Sequence, residues 1–249
     1  MKKIIIANWK CNPITLAQAR KMFLALKAGV KSSKAEVVIC PPFVYLTEAA
    51  KIFKAGRIKL GAQNCFFTES GPYTGEVSPL MLKNIGVKYV ILGHSERVMI
   101  LGETNEMTAK KVKAALAAGL RPIVCVGEDL AEKSRGQTFQ IIEKDLQENL
   151  ALLAKNQIKE VVIAYEPLWA ISTTGNSQNC SADEALTVIL FLRKLLSKMV
   201  GPKASRVLPI LYGGSADSKN VKDYLQSEAI SGLLVGGASL NVKEFLRIF

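Results

Sequence analysis

The chain has 249 residues, of which 49% are hydrophobic and 22% are charged, and its formal net charge is +12. A chain of this length and apolar content can bury a large core as one domain. The positive charge suits an anionic partner, but the 33 lysines and arginines are scattered, with no block of five or more, which argues against a nucleic-acid-binding arm.

The cysteines and the single histidine argue against a metal site or a disulfide framework. The five cysteines stand far apart without a CxxC pair, at positions 11, 40, 65, 125 and 180. We expect reduced thiols and a cytoplasmic location. The four apolar residues before Asn8 are too few for a signal peptide, and no apolar run approaches the ~20 residues of a membrane span.

Eight short runs rich in β-branched residues recur along the chain, and each is continuously apolar rather than alternating. Such runs are typical of parallel strands that are buried on both faces. They cover residues 3–7, 36–40, 58–62, 88–92, 121–126, 160–165, 206–211 and 229–235.

Most segments between these runs are amphipathic and predict helices. In residues 104–119 the helical period places Lys111 on a different face from Val112. A later helix opens with Ser181 and Glu184, which form a capping box. Strand and helix therefore alternate eight times, with no linker or break in composition.

This alternation predicts one (β/α)8 barrel domain over residues 1–249, with a doubly wound open sheet as the structural alternative. In such a barrel the active site lies at the carboxyl ends of the strands, so the residues that follow each run should converge. They include Asn8, Lys10, Gln63, Asn64, His94, Glu128, Glu166, Gly213, Gly214, Ser215, Gly236 and Gly237.

Two features of these strand ends indicate chemistry. Glu166 ends an apolar run in AYEPLWAISTTGN, and a buried carboxylate is costly unless something uses it. The glycine turns YGGSAD and VGGASL follow the last two runs and lead into helices, where backbone N–H groups can approach an anion closely. Because barrels of this kind commonly bind phosphate there, Ser215, Gly236 and Gly237 are candidate phosphate-binding residues.

Five motifs together resemble the triosephosphate isomerase family over nearly the whole chain. They occur in the family's order and at the expected strand ends. They are ANWKCN (7–12), GHSER (93–97), AYEPLWAI (164–171), YGGS (212–215) and VGGASL (235–240).

The resemblance implies a TIM barrel that interconverts dihydroxyacetone phosphate and glyceraldehyde 3-phosphate in glycolysis and gluconeogenesis, without cofactor or metal. It implies Glu166 as the base and His94 as the electrophile that polarises the carbonyl group. It also implies that Lys10 and Asn8 contact the substrate oxygens, and that Glu96 supports Lys10.

Elementary chemistry agrees with these roles. Removing a proton beside a carbonyl group builds an enediolate, which needs a base and preorganised donors or positive charge at its oxygens. His94 directly precedes a predicted helix start, and the positive end of that helix would favour a neutral imidazole.

The segment after Glu166 differs from the family pattern. Pro167 to Trp169 predict a stiff hinge for a lid of small residues that ends near residue 180. Ser172 replaces the first loop glycine, and about three residues are inserted after it; by position, we assign the phosphate-binding backbone N–H to Ser172. Val98 also replaces a second arginine that the family usually has after HSER, which puts a supporting salt bridge in doubt.

The loop of residues 65–78 indicates a partner. Its aromatic rings would be an unusual exposed patch on a monomer; they belong to Phe66, Phe67 and Tyr73. The resemblance implies a homodimer in which this loop enters the neighbouring subunit, with Thr74 near Asn8 and Lys10 of the partner subunit and with Cys11 at the interface.

Two other functions remain open. An aldolase-type barrel enzyme acting on phosphorylated sugars could use Lys10 to form a Schiff base. A basic nucleic-acid-binding protein on an inactive barrel is the other alternative, but the basic residues are dispersed and no aromatic residues interleave with them for base stacking.

Overall fold

A computed structural model describes residues 2–30, 33–54, 56–171 and 178–249. Eight parallel strands form a closed barrel in chain order, and β8 pairs with β1. The strands are β1 Ile4–Asn8, β2 Glu36–Cys40, β3 Ile58–Ala62, β4 Tyr89–Leu92, β5 Arg121–Val126, β6 Val162–Tyr165, β7 Ile210–Tyr212 and β8 Gly232–Val235. This topology confirms the predicted barrel and excludes the doubly wound sheet.

Both faces of the strands are buried, which explains their continuous apolar runs. One cluster fills the barrel interior and includes Ile6, Val38 and Ile91, while alternate residues such as Ile5 and Val37 face outward and pack in the layer beneath the helices. Because neither face meets water, no polar alternation appears in the sequence.

The seventh strand begins later in the chain than was predicted. Residues 206–211 were predicted as the strand, but a helix occupies Pro202–Val207 and β7 begins at Ile210. Proline is well suited to the first turn of a helix, and Pro202 starts this one. Val207 is exposed in the last turn of that helix, although its branched side chain looked like part of a strand.

Twelve α-helices lie in the described part of the chain, most of them between strands. They are α1 Leu16–Gly29, α2 Leu46–Phe53, α3 Pro79–Asn84, α4 Ser95–Met99, α5 Asn105–Ala117, α6 Leu130–Ser134, α7 Thr138–Asn149, α8 Lys155–Ile158, α9 Ala182–Val200, α10 Pro202–Val207, α11 Val221–Leu225 and α12 Val242–Phe245. Within these described segments, no helix combines the length and apolar character that crossing a membrane requires.

The helix starts were predicted better than the helix faces. Ser181 and Glu184 form the predicted capping box at the start of α9. On α5, by contrast, Lys111 is buried together with Val112, which contradicts the predicted separation of their faces.

Lys111 can be buried because a cluster of polar side chains surrounds its ammonium group. Its ammonium contacts the buried Glu103 carboxylate and donates to Asn64 Oδ1 at 3.0 Å. Arg97 Nε contacts the same Glu103 carboxylate at 2.5 Å. Val98, which stands where the family usually has a second arginine, lies at the surface, so Glu103 is paired without it.

Candidate active site

A cavity of about 440 Å³ opens at the carboxyl ends of the strands and collects nearly all of the predicted site residues. Ser172 lies outside the described residues, so its predicted phosphate contact stays a prediction. The predicted residues that line the cavity are Asn8, Lys10, His94, Glu166, Ser215, Gly236 and Gly237.

Glu166 follows β6 directly and is almost completely buried. Its Oε2 accepts a hydrogen bond from Ser95 N–H at 3.2 Å, and its Oε1 lies 3.3 Å from His94 Nε2. Two glycines make room for it, because a Cβ at Gly127 would lie 1.8 Å from the Glu166 carbonyl oxygen and one at Gly213 would lie 2.8 Å from Glu166 Cγ. The carboxylate is therefore held in place by its surroundings.

His94 caps the amino terminus of α4, as its position before SER predicted. Its Nδ1 accepts a hydrogen bond from Glu96 N–H at 3.2 Å. An imidazole nitrogen that accepts from an N–H carries no proton, so Nε2 of the neutral ring is the protonated nitrogen. That Nε2–H faces Glu166 and the cavity.

Lys10 is held in an unusual backbone conformation at the rim of the same cavity. Its φ is 53°, in the left-handed region, which costs of order 1–3 kcal/mol for a residue other than glycine. Asn8 Oδ1 accepts from Lys10 N–H at 3.1 Å, and Gln63 Nε2 donates to the Lys10 carbonyl oxygen at 2.9 Å. These contacts fix the direction of the lysine backbone.

The Lys10 ammonium lies 2.6 Å from Glu96 Oε1, so the expected proximity of Glu96 to Lys10 is present. The Lys10 side chain is 15% exposed and the Glu96 side chain is 34% exposed, so water screens this ion pair only in part. Glu96 thus connects Lys10 with His94, because its own backbone N–H donates to the imidazole.

The two glycine turns lie on one side of the cavity. A 3-10 helix begins at Gly237, with Gly236 between it and the end of β8, and both glycines line the cavity wall. The turn after β7 differs from the prediction, because α11 does not begin until Val221. Ser215 is also engaged, since both its N–H and its hydroxyl donate to the Ala170 carbonyl, at 3.1 and 2.8 Å.

Glu128 is a residue to which the sequence assigned no role, although it follows β5. It is buried, and its Oε1 accepts from Trp169 Nε1–H at 2.9 Å and from the Tyr165 hydroxyl at 3.1 Å. Burial raises the pKa of the Glu128 carboxyl, and these two donors oppose that rise. Glu128 thereby anchors the tryptophan of the predicted hinge.

Replacing Trp169 by phenylalanine should destabilise the fold in a pH-dependent way. Glu128 ionises in the unfolded chain at its ordinary pKa but only at a higher pH in the fold, so stability falls as pH rises through that window. Losing the Trp169 donor raises the pKa of Glu128 in the folded protein further. We expect an additional loss of ~1–3 kcal/mol in the free energy of unfolding at pH 8, and this loss should shrink at pH values below the ordinary pKa of glutamate. Urea unfolding at several pH values measures it.

Trp9→Phe is the matched control. Trp9 is also buried, but its Nε1 has no hydrogen-bond partner within the described residues. That substitution removes packing alone, so its cost should not vary with pH. An equal pH dependence in both variants would contradict the role given to Glu128.

The fold and the cavity together define a (β/α)8-barrel enzyme whose mouth combines a buried carboxylate, a neutral imidazole and a lysine with two glycine turns. A family model described as triosephosphate isomerase matches residues 3–249. The chain belongs to the triosephosphate isomerase family.

Named relatives agree with this placement. The chain is 46% identical over 247 residues to the triosephosphate isomerase of Thermoanaerobacter pseudethanolicus, covering 99% of this chain and 98% of that protein. It is 45% identical over 250 residues to that of Dictyoglomus thermophilum, with 99% and 98% covered. A crystal structure of triosephosphate isomerase from Bartonella henselae superposes with a TM-score of 0.89 at 34% identity, covering 100% of this chain and 98% of that one.

Proposed function

We propose that this chain interconverts dihydroxyacetone phosphate and D-glyceraldehyde 3-phosphate through an enediolate, as a step in glycolysis and gluconeogenesis. The observation that carries the proposal is the convergence of Glu166, His94 and Lys10 on one cavity. The five unpaired cysteines support a reducing compartment, for which we propose the cytoplasm.

Glu166 is the proposed base that moves a proton between the two substrate carbons. The carboxylate leaves the Ser95 N–H and takes a proton from the carbon beside the substrate carbonyl group. The electron pair of that C–H bond forms the enediolate double bond, and the carbonyl electrons move to oxygen. The hydroxyl proton on the first carbon's oxygen moves to the former carbonyl oxygen, the electrons it leaves form the new carbonyl group, and Glu166 returns its proton to the neighbouring carbon, which completes the isomerisation.

The developing oxyanion is stabilised by two groups already in place. His94 presents Nε2–H as a donor, because its Nδ1 is occupied by the Glu96 N–H. Lys10 supplies positive charge, and its ion pair with Glu96 orients the ammonium. We assign Asn8 a substrate contact as well, since it lines the cavity beside them. Preorganised groups of this kind do not have to reorient during the reaction.

The substrate phosphate is proposed to bind at the glycine turns. Gly236 and Gly237 allow a close approach of backbone N–H groups, and the 3-10 helix that begins at Gly237 favours an anion. Ser215 lines the same side of the cavity. The lid and its Ser172 N–H complete this proposal, but they lie outside the described residues.

The Schiff-base alternative is disfavoured by the pairing of Lys10. An ammonium held at 2.6 Å from a carboxylate has no lone pair with which to attack a carbonyl group. A coupled isomerase assay on the purified protein tests the proposal, and borohydride added with substrate tests the alternative. Isomerisation without trapped lysine supports the isomerase, whereas a reduced adduct on Lys10 would establish the aldolase-type reaction.

A homodimer is proposed from the apolar residues at the rim of β1–β4. Ile14 is 90% exposed, Val44 is 76% exposed and Ile100 is 75% exposed, each after the carboxyl end of its strand. They follow β1, β2 and β4, which lie within one run of four adjacent strands, so they lie on one side of the barrel mouth. Exposed apolar residues of this kind are unusual on a monomer. We propose that a second copy covers this side symmetrically, and the family resemblance implies that Thr74 then lies near the partner subunit's Asn8 and the partner subunit's Lys10.

The aromatic rings of the 65–78 loop are arranged differently from the expected exposed patch. Phe66 and Phe67 are half-buried and stack with a centroid distance of 4.2 Å, and Tyr73 packs against Phe66 at 4.7 Å. Only Tyr73 is largely exposed among the three. The loop is therefore internally packed, and it can present Tyr73 and Thr74 to a partner without reorganising.

Cys11 should report on this dimer through its reactivity. It is the exposed cysteine, whereas the other four are buried, and burial raises the pKa of Cys65 and of Cys180 to about 12. At pH 8 a thiol reagent should therefore label only Cys11 in the native protein. We expect labelling to be slow at high protein concentration and to accelerate on dilution, as the dimer dissociates.

Cys11→Ser is the control, because it should abolish the native reaction and leave the thiols that appear on denaturation. A labelling rate that does not depend on protein concentration would contradict the interface. Sedimentation that shows a fully active monomer at micromolar concentration would contradict it as well.

A further inference from the structure

A second cavity, of about 930 Å³, lies at the opposite end of the barrel from the catalytic mouth. Its walls come from α9, α10 and the segments that precede β1 and β8. We call it the basal cavity; it is lined by Lys3, Arg193, Ser197, Pro202, Ser205, Arg206, Val207, Leu225, Gln226, Glu228, Ala229 and Ser231. Its volume falls in the range of small-molecule sites.

Two cations converge in the basal cavity. Lys3 Nζ donates to the carbonyl oxygens of Ser227 and Ile230, at 2.9 and 2.6 Å. The Arg193 guanidinium contacts the carbonyl oxygen of Ala229 at 3.5 Å and further carbonyl groups around the end of α10. Both side chains line the cavity, and two of the carbonyl groups that they contact belong to the consecutive residues Ala229 and Ile230.

The positive charge in this cavity is only partly balanced, because three cations and one carboxylate, Glu228, which acts electrostatically on Lys3, line it. Within the part of the chain that the structure describes, neither Lys3 nor Arg193 forms an ion pair. Arg206 adds a third cation to the lining, and Glu228 is the one carboxylate among the lining residues. Burial lowers the pKa of Lys3 and of Arg193, so their charged forms lack part of the stabilisation that water would provide.

Both cations keep donors for a ligand. An ammonium has three N–H bonds, and two of those on Lys3 meet carbonyl groups. A guanidinium has five, and three contacts to carbonyl groups leave Arg193 with donors to spare. A role in anchoring the backbone would explain the contacts of Lys3 and Arg193 with carbonyl groups. It would not explain why Arg206 also lines the cavity or why the cavity is so large. A group with several anionic oxygens fits these donors.

We propose that the basal cavity binds a phosphate group, carried by a small phosphorylated compound or present as inorganic phosphate, between Lys3, Arg193 and Arg206. This site is separate from the catalytic mouth, since the two cavities share no lining residue. The inference does not depend on the reaction proposed above.

Amide NMR titration of the full chain separates this site from the catalytic one. The probes are inorganic phosphate and glycerol 2-phosphate, each added at constant ionic strength. We expect saturable shifts at the amides of Gln226, Ala229 and Ser231, with an affinity different from that reported by Gly236 and Gly237. Tighter binding of the ester identifies a phosphorylated compound as the ligand, and equal binding identifies phosphate itself; either result supports the site.

Arg206→Gln should weaken binding at the basal cavity about threefold or more, because it removes one of three cations. Arg206 is exposed, so this substitution leaves the fold intact. Lys3→Gln should weaken binding further. If Lys3→Gln fails to fold, the result for Arg206→Gln alone tests the proposed site. Lys113→Gln, an exposed position outside the cavity, is the control and should change nothing. Absence of saturable shifts at the three amides, or equal affinity in Arg206→Gln, would overturn the proposal.

Discussion

Replacing Glu166 by aspartate should lower kcat by ~10²–10⁴-fold, while KM changes much less. The shorter side chain keeps the carboxylate but withdraws it from the substrate carbon by about one methylene length, roughly 1 Å. Proton transfer depends on that reach, whereas substrate binding relies on other groups in the cavity. Steady-state kinetics in both directions of the reaction measure the effect.

Glu160→Asp is the matched control. Glu160 is exposed and lies just before β6, at the end of the strand opposite to Glu166. The same loss of a methylene there should leave kcat unchanged. A Glu166→Asp variant that retains most of its kcat would remove Glu166 from the role of base.

Lys111→Met should destabilise the fold by ~3–5 kcal/mol, because it leaves the Glu103 carboxylate buried with one cation fewer. Methionine has a similar length, so little packing is lost. Asn64 also loses its partner, since its Oδ1 accepts from the Lys111 ammonium. Urea unfolding measures the change. All variants are measured at the same protein concentration, so that any contribution from dimer dissociation is the same for each.

The neighbouring Lys110→Met provides the comparison on the same helix. Lys110 is exposed and pairs with Glu106 one turn away, at 2.7 Å. Exposed pairs of this kind contribute little, so the loss should stay below ~0.5 kcal/mol. Equal effects of the two substitutions would show that the buried cluster does not stabilise the fold.

The barrel could be predicted from the sequence because its strands are buried on both faces and are therefore continuously apolar. The same rule failed around Val207, where a branched residue in a short exposed helix looked like part of a strand. Periodicity also failed for Lys111, because a helix pattern treats lysine as exposed and takes no account of a buried carboxylate, Glu103, just before the same helix.

The residues that line the cavity could be predicted for a different reason. A barrel brings every strand end to one mouth, so chain position alone grouped Asn8, His94 and Glu166. Chain position could not show the left-handed backbone of Lys10 or the contact of Glu166 with the Ser95 N–H, because both depend on tertiary contacts. The role of Glu128 was missed because its donors, Trp169 and Tyr165, lie on the neighbouring strand and its following turn.

Isomerisation in deuterated water, followed by NMR, tests the central claim most directly. Wild-type protein and Glu166→Gln are compared at equal concentration on dihydroxyacetone phosphate. Because a proton on the Glu166 carboxyl group exchanges with solvent, the proposed mechanism predicts that wild-type protein forms glyceraldehyde 3-phosphate, at least part of it with solvent deuterium at the carbon that receives the proton. It predicts that Glu166→Gln, which cannot accept a proton, forms almost none. Wild-type rates in Glu166→Gln would place the base elsewhere and would contradict the mechanism.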